Sequence, residues 1–380
     1  MHKRLTKTGA LLKKQQLLGK NKRVFGVVLV LFAGLATLLL FMARAATDSV
    51  VLETETSTLS GDVSVIDDAD ASGGKALHFG RQPDTPPVVD PPTNPDTGDD
   101  GIPRPTGGQF ELGQVPFRAD SSWNTKLGSN VTYSHINWPA NRGGAYYINW
   151  ERYTPAIYVS KPSDPAVRVR VPATWGWPAM DQDIRIPEGV TGADGTDGEI
   201  VIIDGTTVYN FWQFHRSGNS ATASAQGRTD LIEGNGWGTS DPWRSAGITA
   251  TGHSMIAGML IEAETNRGDI HHALAIALDF SLQAPGYVGE AIGGDGTAGS
   301  SAISVEGRRM GIPPDTPLPS EVKSDLGKKV FKAMKEYGVF NIDVSGGTGM
   351  RAQNNAYDGD TIGALRGEIG HIIPLLHHVD

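Results

Sequence analysis

Cysteine is absent from the 380-residue sequence. This absence excludes disulfide scaffolds, cysteine-ligated zinc, iron–sulfur clusters and thiol catalysis. The sequence also lacks an H-E-x-x-H zinc motif, a phosphate-binding P-loop and a complete EF-hand loop. Candidate chemistry is therefore sought among carboxylates, imidazoles and hydroxyls.

Positive charge is scarce beyond the first 47 residues. Residues 1–47 contain nine Lys and Arg and no acid, which leaves 24 basic and 42 acidic residues in 48–380, a net charge of −18. Phosphate contacts need clustered Lys and Arg, so we predict no nucleic-acid partner. Glycine is abundant, with 48 residues, and long periodic segments are few. This composition favours a mainly β protein.

The N-terminus has the pattern of a targeting segment. Residues 1–23 are basic and predicted to be cytoplasmic, and 24–43 contain no charged residue. Twenty apolar residues are enough to cross a bilayer as a helix. Ala43-Arg44-Ala45-Ala46 also resembles a signal-peptidase site. Two alternatives stay open, an uncleaved membrane anchor and a cleaved signal peptide, and both place the rest of the chain outside the cytoplasm.

The exported part divides by composition. Residues 50–80 are predicted to be a short β remnant, and 82–106, with eight Pro and five Asp, an extended linker. The remnant resembles the opening of carbohydrate-binding modules of the family 6 and 35 type, through E-x-E and a later A-S-G-G-K-A. Residues 107–380 are predicted to form the main β-rich domain.

We expect this domain to be a β-sandwich or jelly-roll-like body with one docked C-terminal helix, in addition to the N-terminal transmembrane helix. The helix is predicted to begin after Ser320 and to end at Gly338, because apolar residues recur there every three or four positions. Apolar runs between turn residues predict strands at Ala156–Val159, Val167–Val171, Glu199–Ile203, Thr207–Phe214, Met255–Ile261, Ala273–Leu278, Ala302–Val305 and Val339–Asp343.

Aromatic residues suggest a glycan platform. All eight Trp lie between positions 123 and 243. An aromatic ring can cover the apolar face of a sugar while polar neighbours contact its hydroxyl groups. Trp175, Trp177 and Trp237 are the predicted sugar-binding residues, with His215 as a further binding residue. Core packing is the alternative for each of these Trp residues.

The stretch from Gly252 to Leu278 carries the strongest candidate chemistry. Glu264 ends one apolar run and His272 begins the next, so the two can face each other across a hairpin. A carboxylate that orients an imidazole is a plausible acid–base couple. We predict Glu264 and His272 as catalytic, with Asp204 or Asp343 as the second carboxylate that glycosidic cleavage commonly uses. A structural hydrogen bond is the alternative for this pair.

Three further patterns complete the candidates. Gly252-His253-Ser254-Met255-Ile256 resembles the nucleophile elbow of α/β-hydrolases, although Ile256 replaces the final glycine, so a serine hydrolase using Ser254 is a minor alternative. We predict no cofactor except Ca²⁺, for which Asp181-x-Asp183 and 194–199 offer oxygen ligands. Gly293-Gly294-Asp295-Gly296 begins like a calcium-binding nonapeptide but is a single partial copy.

Three blocks resemble an exported family of bacteria and fungi. They are E-x-x-x-G-x-I-x-H-A-L (Glu264 to Leu274), G-R-R-M with a Pro turn (Gly307 to Pro313) and K-A-M-K-E-Y-G-V-F-N-I-D (Lys332 to Asp343). The resemblance implies an architecture and an extracellular setting, not a reaction. After the third block this chain keeps Asp343 but lacks an Asn found in other members.

We therefore predict a monomeric, membrane-anchored or secreted protein that cleaves cell-surface or environmental polysaccharide by hydrolysis or elimination. Its predicted partners are a polysaccharide or cell-wall glycan and, through 24–43, the membrane. The competing class is a surface protein that binds glycan without turnover.

Overall fold

A computed structural model of the chain describes residues 101–107, 109–139 and 146–380, together with the backbone of 63–67 and 75–79. The prediction of a mainly β protein is confirmed, because strands far outweigh helices in this part of the chain. No helix in the same residues is long and apolar enough to cross a membrane. The predicted cytoplasmic segment 1–23 and transmembrane segment 24–43 lie outside the described residues.

The helices are α1 (Glu262–Arg267), α2 (Asp325–Glu336) and α3 (Gly359–Ile372), followed by a short 3₁₀ turn at Ile373–Leu375. The strands, in chain order, are β1 (Val63–Asp67), β2 (Lys75–Phe79), β3 (Tyr133–Ser134), β4 (Tyr146–Asn149), β5 (Ala156–Val159), β6 (Ala166–Val171), β7 (Met180–Arg185), β8 (Ile200–Asp204), β9 (Thr207–Trp212), β10 (His215–Ser217), β11 (Ser220–Thr222), β12 (Ala225–Asp230), β13 (Thr239–Ser240), β14 (Trp243–Arg244), β15 (Leu274–Asp279), β16 (Gln283–Tyr287), β17 (Ser304–Glu306), β18 (Arg309–Gly311), β19 (Val339–Ser345), β20 (Thr348–Arg351) and β21 (His377–Val379).

The chain separates into a unit of residues 1–90 and a unit of residues 91–380. In the first unit β1 and β2 pair antiparallel, with Val63 opposite Phe79. The second unit begins before the predicted domain start at 107. Ile102 is buried, and the Val115 N–H donates to the Pro103 carbonyl at 2.8 Å, so the end of the predicted linker packs on the body.

Two four-stranded sheets pack against each other in the body. Their strand orders are β10-β11-β6-β7 and β12-β9-β8-β5. Val169 of β6, Ile184 of β7 and Phe211 of β9 belong to one buried cluster with Ile200 of β8. Alternate residues of these strands point to opposite faces, so Val201 and Ile203 of β8 are free to join a second cluster on the other side of the same sheet.

A seven-stranded mixed sheet has the order β3-β21-β18-β19-β15-β20-β4, and two two-stranded sheets, β13-β14 and β16-β17, complete the described strands of the body. Helices α2 and α3 supply Val330, Met334 and Ile369 to a large core that also contains Ile276 of β15. Side chains of β19 reach across to the second cluster, where they meet β8. This shared core brings β19 and β20 close to β8 and β9. The candidate site lies where these strands meet.

Several predicted elements differ from the structure. Met255–Ile261 is not a strand but a series of turns that makes one bridge, between Leu260 and Ala352. Gly258 takes a positive φ of 70° there, and Trp123 and Ala275 leave no room for a Cβ. A chain that turns so tightly cannot stay extended, although its composition is that of a buried strand.

The helices also differ from the prediction. Helix α2 begins at Asp325 rather than after Ser320, because Ser324 accepts the Gly327 N–H as its cap and Glu368 accepts the N–H groups of Lys323 and Ser324. Helix α3 was not predicted. It contains four glycines, which lower helix propensity, and tertiary packing of its apolar face stabilises it instead.

Candidate active-site cleft

A cleft with a volume of about 780 Å³ opens between the seven-stranded sheet and the β8–β9 sheet. Three kinds of side chain suited to glycan chemistry line it. They are five aromatic rings (Tyr147, Tyr153, Trp175, Trp212 and Trp243), four carboxylates (Asp197, Glu199, Asp295 and Asp343) and a guanidinium group (Arg351).

Arg351 organises the charged floor of the cleft. Its Nη2 atom, at the end of β20, lies 3.6 Å from Glu199 Oε1 and 3.8 Å from Asp343 Oδ2. Glu199 directly precedes β8, and Asp343 lies on β19. The pair with Glu199 therefore joins the two sheets, whereas the pair with Asp343 lies within the seven-stranded sheet. Such pairs can offset the cost of burying three charged groups only if their geometry is good.

Burial controls the protonation of the two carboxylates. The Glu199 side chain is 4% exposed, and burial raises its pKa above the usual range, although Arg351 acts in the opposite direction. Burial also raises the pKa of Asp343, to about 7, with Arg351 opposing and Asp295 adding to the increase. Glu199 Oε2 has no hydrogen-bond partner. A carboxyl group in such surroundings can hold a proton near neutral pH.

Aromatic residues form one wall of the cleft. The Trp175 ring is 39% exposed and lies 6.2 Å from the Trp212 ring, with 32° between their planes. Trp175 takes a positive φ of 48°, and Gly176 follows it with a φ of 72° where the Trp243 side chain and carbonyl leave no room for a Cβ. This turn projects the Trp175 ring towards solvent, as a stacking platform for a sugar requires.

Polar contacts fix the neighbouring groups. The Trp212 indole N–H donates to Asp197 Oδ1 at 3.3 Å, and the Trp243 indole N–H donates to the Ile292 carbonyl at 3.1 Å. The hydroxyl of Tyr147 on β4 forms a hydrogen bond with Ser345 Oγ and donates another to the Gly347 carbonyl at 3.2 Å. Burial raises the Tyr147 pKa above its usual value, so its hydroxyl stays protonated at neutral pH.

The predicted Glu264–His272 couple meets as expected but not in this cleft. Glu264 lies on helix α1 rather than at a strand end, and its Oε2 atom is 3.0 Å from His272 Nε2. Glu264 Oε1 accepts the His271 N–H at 3.1 Å, and His272 Nδ1 lies 2.8 Å from the Ala273 carbonyl. Both side chains are less than 10% exposed, and neither lines the cleft. All four polar atoms of the pair have partners within the body.

The two candidates for the second carboxylate, Asp343 and Asp204, lie in different parts of the body. Asp343 lies in the cleft, as described above. Asp204 does not line it: Oδ1 accepts from Arg185 Nε at 2.6 Å and Oδ2 from the Arg185 backbone N–H at 3.0 Å. These bonds join the ends of β7 and β8, so Asp204 has a structural partner for each oxygen.

Of the predicted sugar-binding residues, only Trp175 lies in the cleft. Trp175 lines the cleft, whereas Trp237 is 3% exposed in the core and stacks on Trp123 at 4.9 Å. Trp177 does not line it; its indole donates to the Ser245 carbonyl, and the guanidinium groups of two arginines, Arg228 and Arg244, cover its ring. His215 is exposed on β10, outside the cleft.

The remaining candidates have structural surroundings. Ser254 is fully buried, with its Oγ 3.5 Å from Asn210 Oδ1, and the turn that follows it is not the helix a nucleophile elbow needs. Asp181 and Asp183, offered as calcium ligands, form ion pairs with Arg168 at 2.6 and 3.5 Å.

The sequence did not point to Arg351 or Tyr147 as site residues, and it offered Asp197 and Glu199 only within a possible calcium-binding stretch, 194–199. Arg351 follows a short run, Thr348–Arg351, that has no motif, and its partners lie 152 and 8 positions earlier in the chain. Asp295 was noted only as part of a partial calcium repeat. Its glycine-rich surroundings were the available signal, because such loops let the backbone approach a ligand closely.

Comparisons with protein families, with curated proteins and with solved structures found no match for the chain. The predicted resemblance to an exported family and to the start of a carbohydrate-binding module therefore stays a prediction. The assignment of the cleft rests on its geometry.

Proposed function

We propose that the chain is an extracytoplasmic carbohydrate-active protein that hydrolyses a polysaccharide in this cleft, acting as a monomer that is membrane-anchored or secreted. The observation that carries the proposal is the combination of an exposed Trp175 platform with a floor of buried and half-buried carboxylates. The β-sandwich or jelly-roll grouping stays part of this proposal, as does the family resemblance.

Glu199 is assigned as the general acid. Its Oε1 atom faces Arg351, whereas Oε2 is buried without a hydrogen-bond partner, so Oε2 is the atom on which the proposal places the proton. Asp197 is assigned as the second carboxylate. It is half-buried, it lines the same cleft two residues away, and the Trp212 indole holds it in place. Neighbouring carboxyl groups in different surroundings are the usual means of keeping one protonated and the other ionised.

The charge of the cleft favours hydrolysis over elimination. Four carboxylates and one arginine line it, so without a bound cation it attracts cationic chains, repels anionic ones and does not oppose neutral ones. Elimination needs a carboxylate on the sugar to acidify the proton that is removed, and such uronate polymers are anionic. We therefore expect a neutral or amino-sugar polysaccharide as the substrate.

The test is a polysaccharide panel of neutral, amino-sugar and uronate chains. New reducing ends report hydrolysis, and ultraviolet absorbance reports the unsaturated product of elimination. We expect reducing ends without unsaturated products, and a loss of activity of about 10²- to 10⁴-fold in Glu199→Gln. Glu188→Gln, at an exposed position outside the cleft, is the matched control and should retain activity. Turnover of uronate chains with unsaturated products would contradict the assignment.

Glycan binding without turnover is the second candidate. The Glu199 side chain is only 4% exposed and forms an ion pair with Arg351. A purely structural ion pair would have the same features, and they favour this second candidate. Binding that is lost in Trp175→Ala, with no product from any chain in the panel, would establish this function instead.

A further inference from the structure

Three carboxylates converge beside the floor of the cleft. Asp295 is in the glycine-rich loop before β17, Glu306 ends β17, and Asp343 lies on β19. One oxygen from each lies within 4.8 Å of the other two. Two oxygens bound to the same Ca²⁺ at about 2.4 Å can be at most about 4.8 Å apart. The spacing of the three side chains therefore suits simultaneous contact with one ion.

Glu306 provides an independent sign of a missing partner. Its side chain is completely buried. Oε2 accepts the backbone N–H groups of Asp295 at 2.8 Å and Gly296 at 3.3 Å, whereas Oε1 has no hydrogen-bond partner. A buried carboxylate oxygen without a partner is costly.

The protein supplies little positive charge to this cluster. Among the described residues, no Lys or Arg forms an ion pair with Asp295 or Glu306, and Arg351 reaches only Asp343, at 3.8 Å. The backbone is shaped around the cluster, since Gly294 leaves no room for a Cβ beside Glu306 Oε2 and the Gly286 carbonyl. A residue with a side chain at position 294 would collide with the Glu306 carboxylate, so the close approach of this loop requires glycine.

We propose that Asp295, Glu306 and Asp343 bind a divalent cation, Ca²⁺ in preference to Mg²⁺, at the floor of the cleft. Oxygen-only ligands select hard cations. Asp295 and Asp343 also line the cleft, so the remaining coordination positions face the space that a substrate would occupy. Water or sugar hydroxyl groups can fill them, and Ca²⁺ tolerates such irregular coordination better than Mg²⁺.

This cation site is separate from the proposed acid and second carboxylate. Neither Glu199 nor Asp197 belongs to the cluster, and the site can be tested without a substrate. Of the calcium ligands suggested by the sequence, Asp181 and Asp183 are paired with Arg168, whereas Asp295 of the partial nonapeptide Gly293-Gly294-Asp295-Gly296 belongs to this site.

The test uses Tb³⁺ as a luminescent probe in the purified full-length protein, stripped of metal with a chelator. Trp243 and Tyr147 line the same cleft and should sensitise Tb³⁺ emission. We expect saturable emission that Ca²⁺ displaces at lower concentration than Mg²⁺. Glu306→Gln and Asp295→Asn should each raise the apparent Kd at least about tenfold. Asp295 is exposed, so its variant should keep the fold even if loss of the buried Glu306 charge disturbs it.

Asp183→Asn is the matched control and should bind Tb³⁺ as the wild type does. Unchanged binding in both cluster variants, or the absence of saturable wild-type binding, would overturn the site. Displacement by Mg²⁺ at lower concentration than Ca²⁺ would overturn the preference for calcium. Glu199→Gln should retain Tb³⁺ binding, which distinguishes a failure of this site from a failure of the proposed catalysis.

Discussion

His253 should make the protein sensitive to mild acid. It lies beneath the cleft, where it lines a small cavity of about 40 Å³ with Tyr147 and Arg351. The ring is 1% exposed, packs 5.3 Å from Trp123, and has its Nδ1 atom within hydrogen-bond distance of two threonine hydroxyls, at 2.7 and 2.9 Å. Burial, and then the charge of Arg351, lower the His253 pKa from 6.5 to about 3.

Because folding lowers the His253 pKa, the folded protein should lose stability as the pH falls. The unfolded chain binds a proton at His253 below about pH 6.5, whereas the folded protein does not do so until about pH 3. Stability from the neutral imidazole is therefore fully present above pH 6.5 and is lost as the pH falls towards 3. The loss is about 2 kcal/mol at pH 5 and about 5 kcal/mol in total, at 1.36 kcal/mol for each pH unit.

The assay compares urea unfolding of the wild type and of His253→Gln at pH 8 and at pH 5. Other titrating groups are common to both proteins, so they cancel in the difference between the two free energies of unfolding. We expect the wild-type advantage to shrink by about 2 kcal/mol between pH 8 and pH 5. His215→Gln, at an exposed histidine, controls for the loss of an imidazole elsewhere. A wild-type advantage that is the same at both pH values would refute the reasoning.

Two further variants test the placement of the predicted site residues. Glu264→Gln should lower the free energy of unfolding by about 1.5–3 kcal/mol, measured by urea denaturation, because it replaces the charged acceptor of His272. Burial lowers the His272 pKa, but the effect of Glu264 is stronger and the net pKa is raised. The loss of stability should therefore be largest below pH 6.5 and should diminish as the pH rises through the raised pKa. An unchanged stability at pH 6 would argue against a buried ion pair. Trp175→Ala should weaken glycan binding at least about tenfold by calorimetry, since an exposed aromatic platform is lost, whereas Trp177→Ala should have a much smaller effect; the reverse order would move the binding surface away from the cleft.

Local patterns predicted much of the sheet structure. The apolar run at Ala156–Val159 forms strand β5 and that at Val339–Asp343 forms most of β19, and all of their side chains are buried or half-buried. The run at Met255–Ile261 has the same composition, but Gly258 and the packing of Trp123 turn it. A short apolar run does not reveal which packing it will meet.

The site depends on contacts between distant parts of the chain. The sequence predicted that Glu264 and His272 would face each other across a hairpin, whereas they meet from helix α1 and the bend before β15. It could not show that the pair lies outside the aromatic cleft. Glu199, Asp343 and Arg351 converge only because a shared core holds the two sheets together, and no spacing in the sequence encodes that packing.

The central claim is that Glu199 donates a proton to a glycan held in the cleft. The most direct measurement determines binding and turnover on one polysaccharide for the wild type and Glu199→Gln. We predict a Kd within about twofold of the wild type and turnover lower by about 10²- to 10⁴-fold, because glutamine keeps the shape of the side chain but cannot donate its proton. Equal turnover by the two proteins would contradict the account, and Glu199 would then be only the structural partner of Arg351.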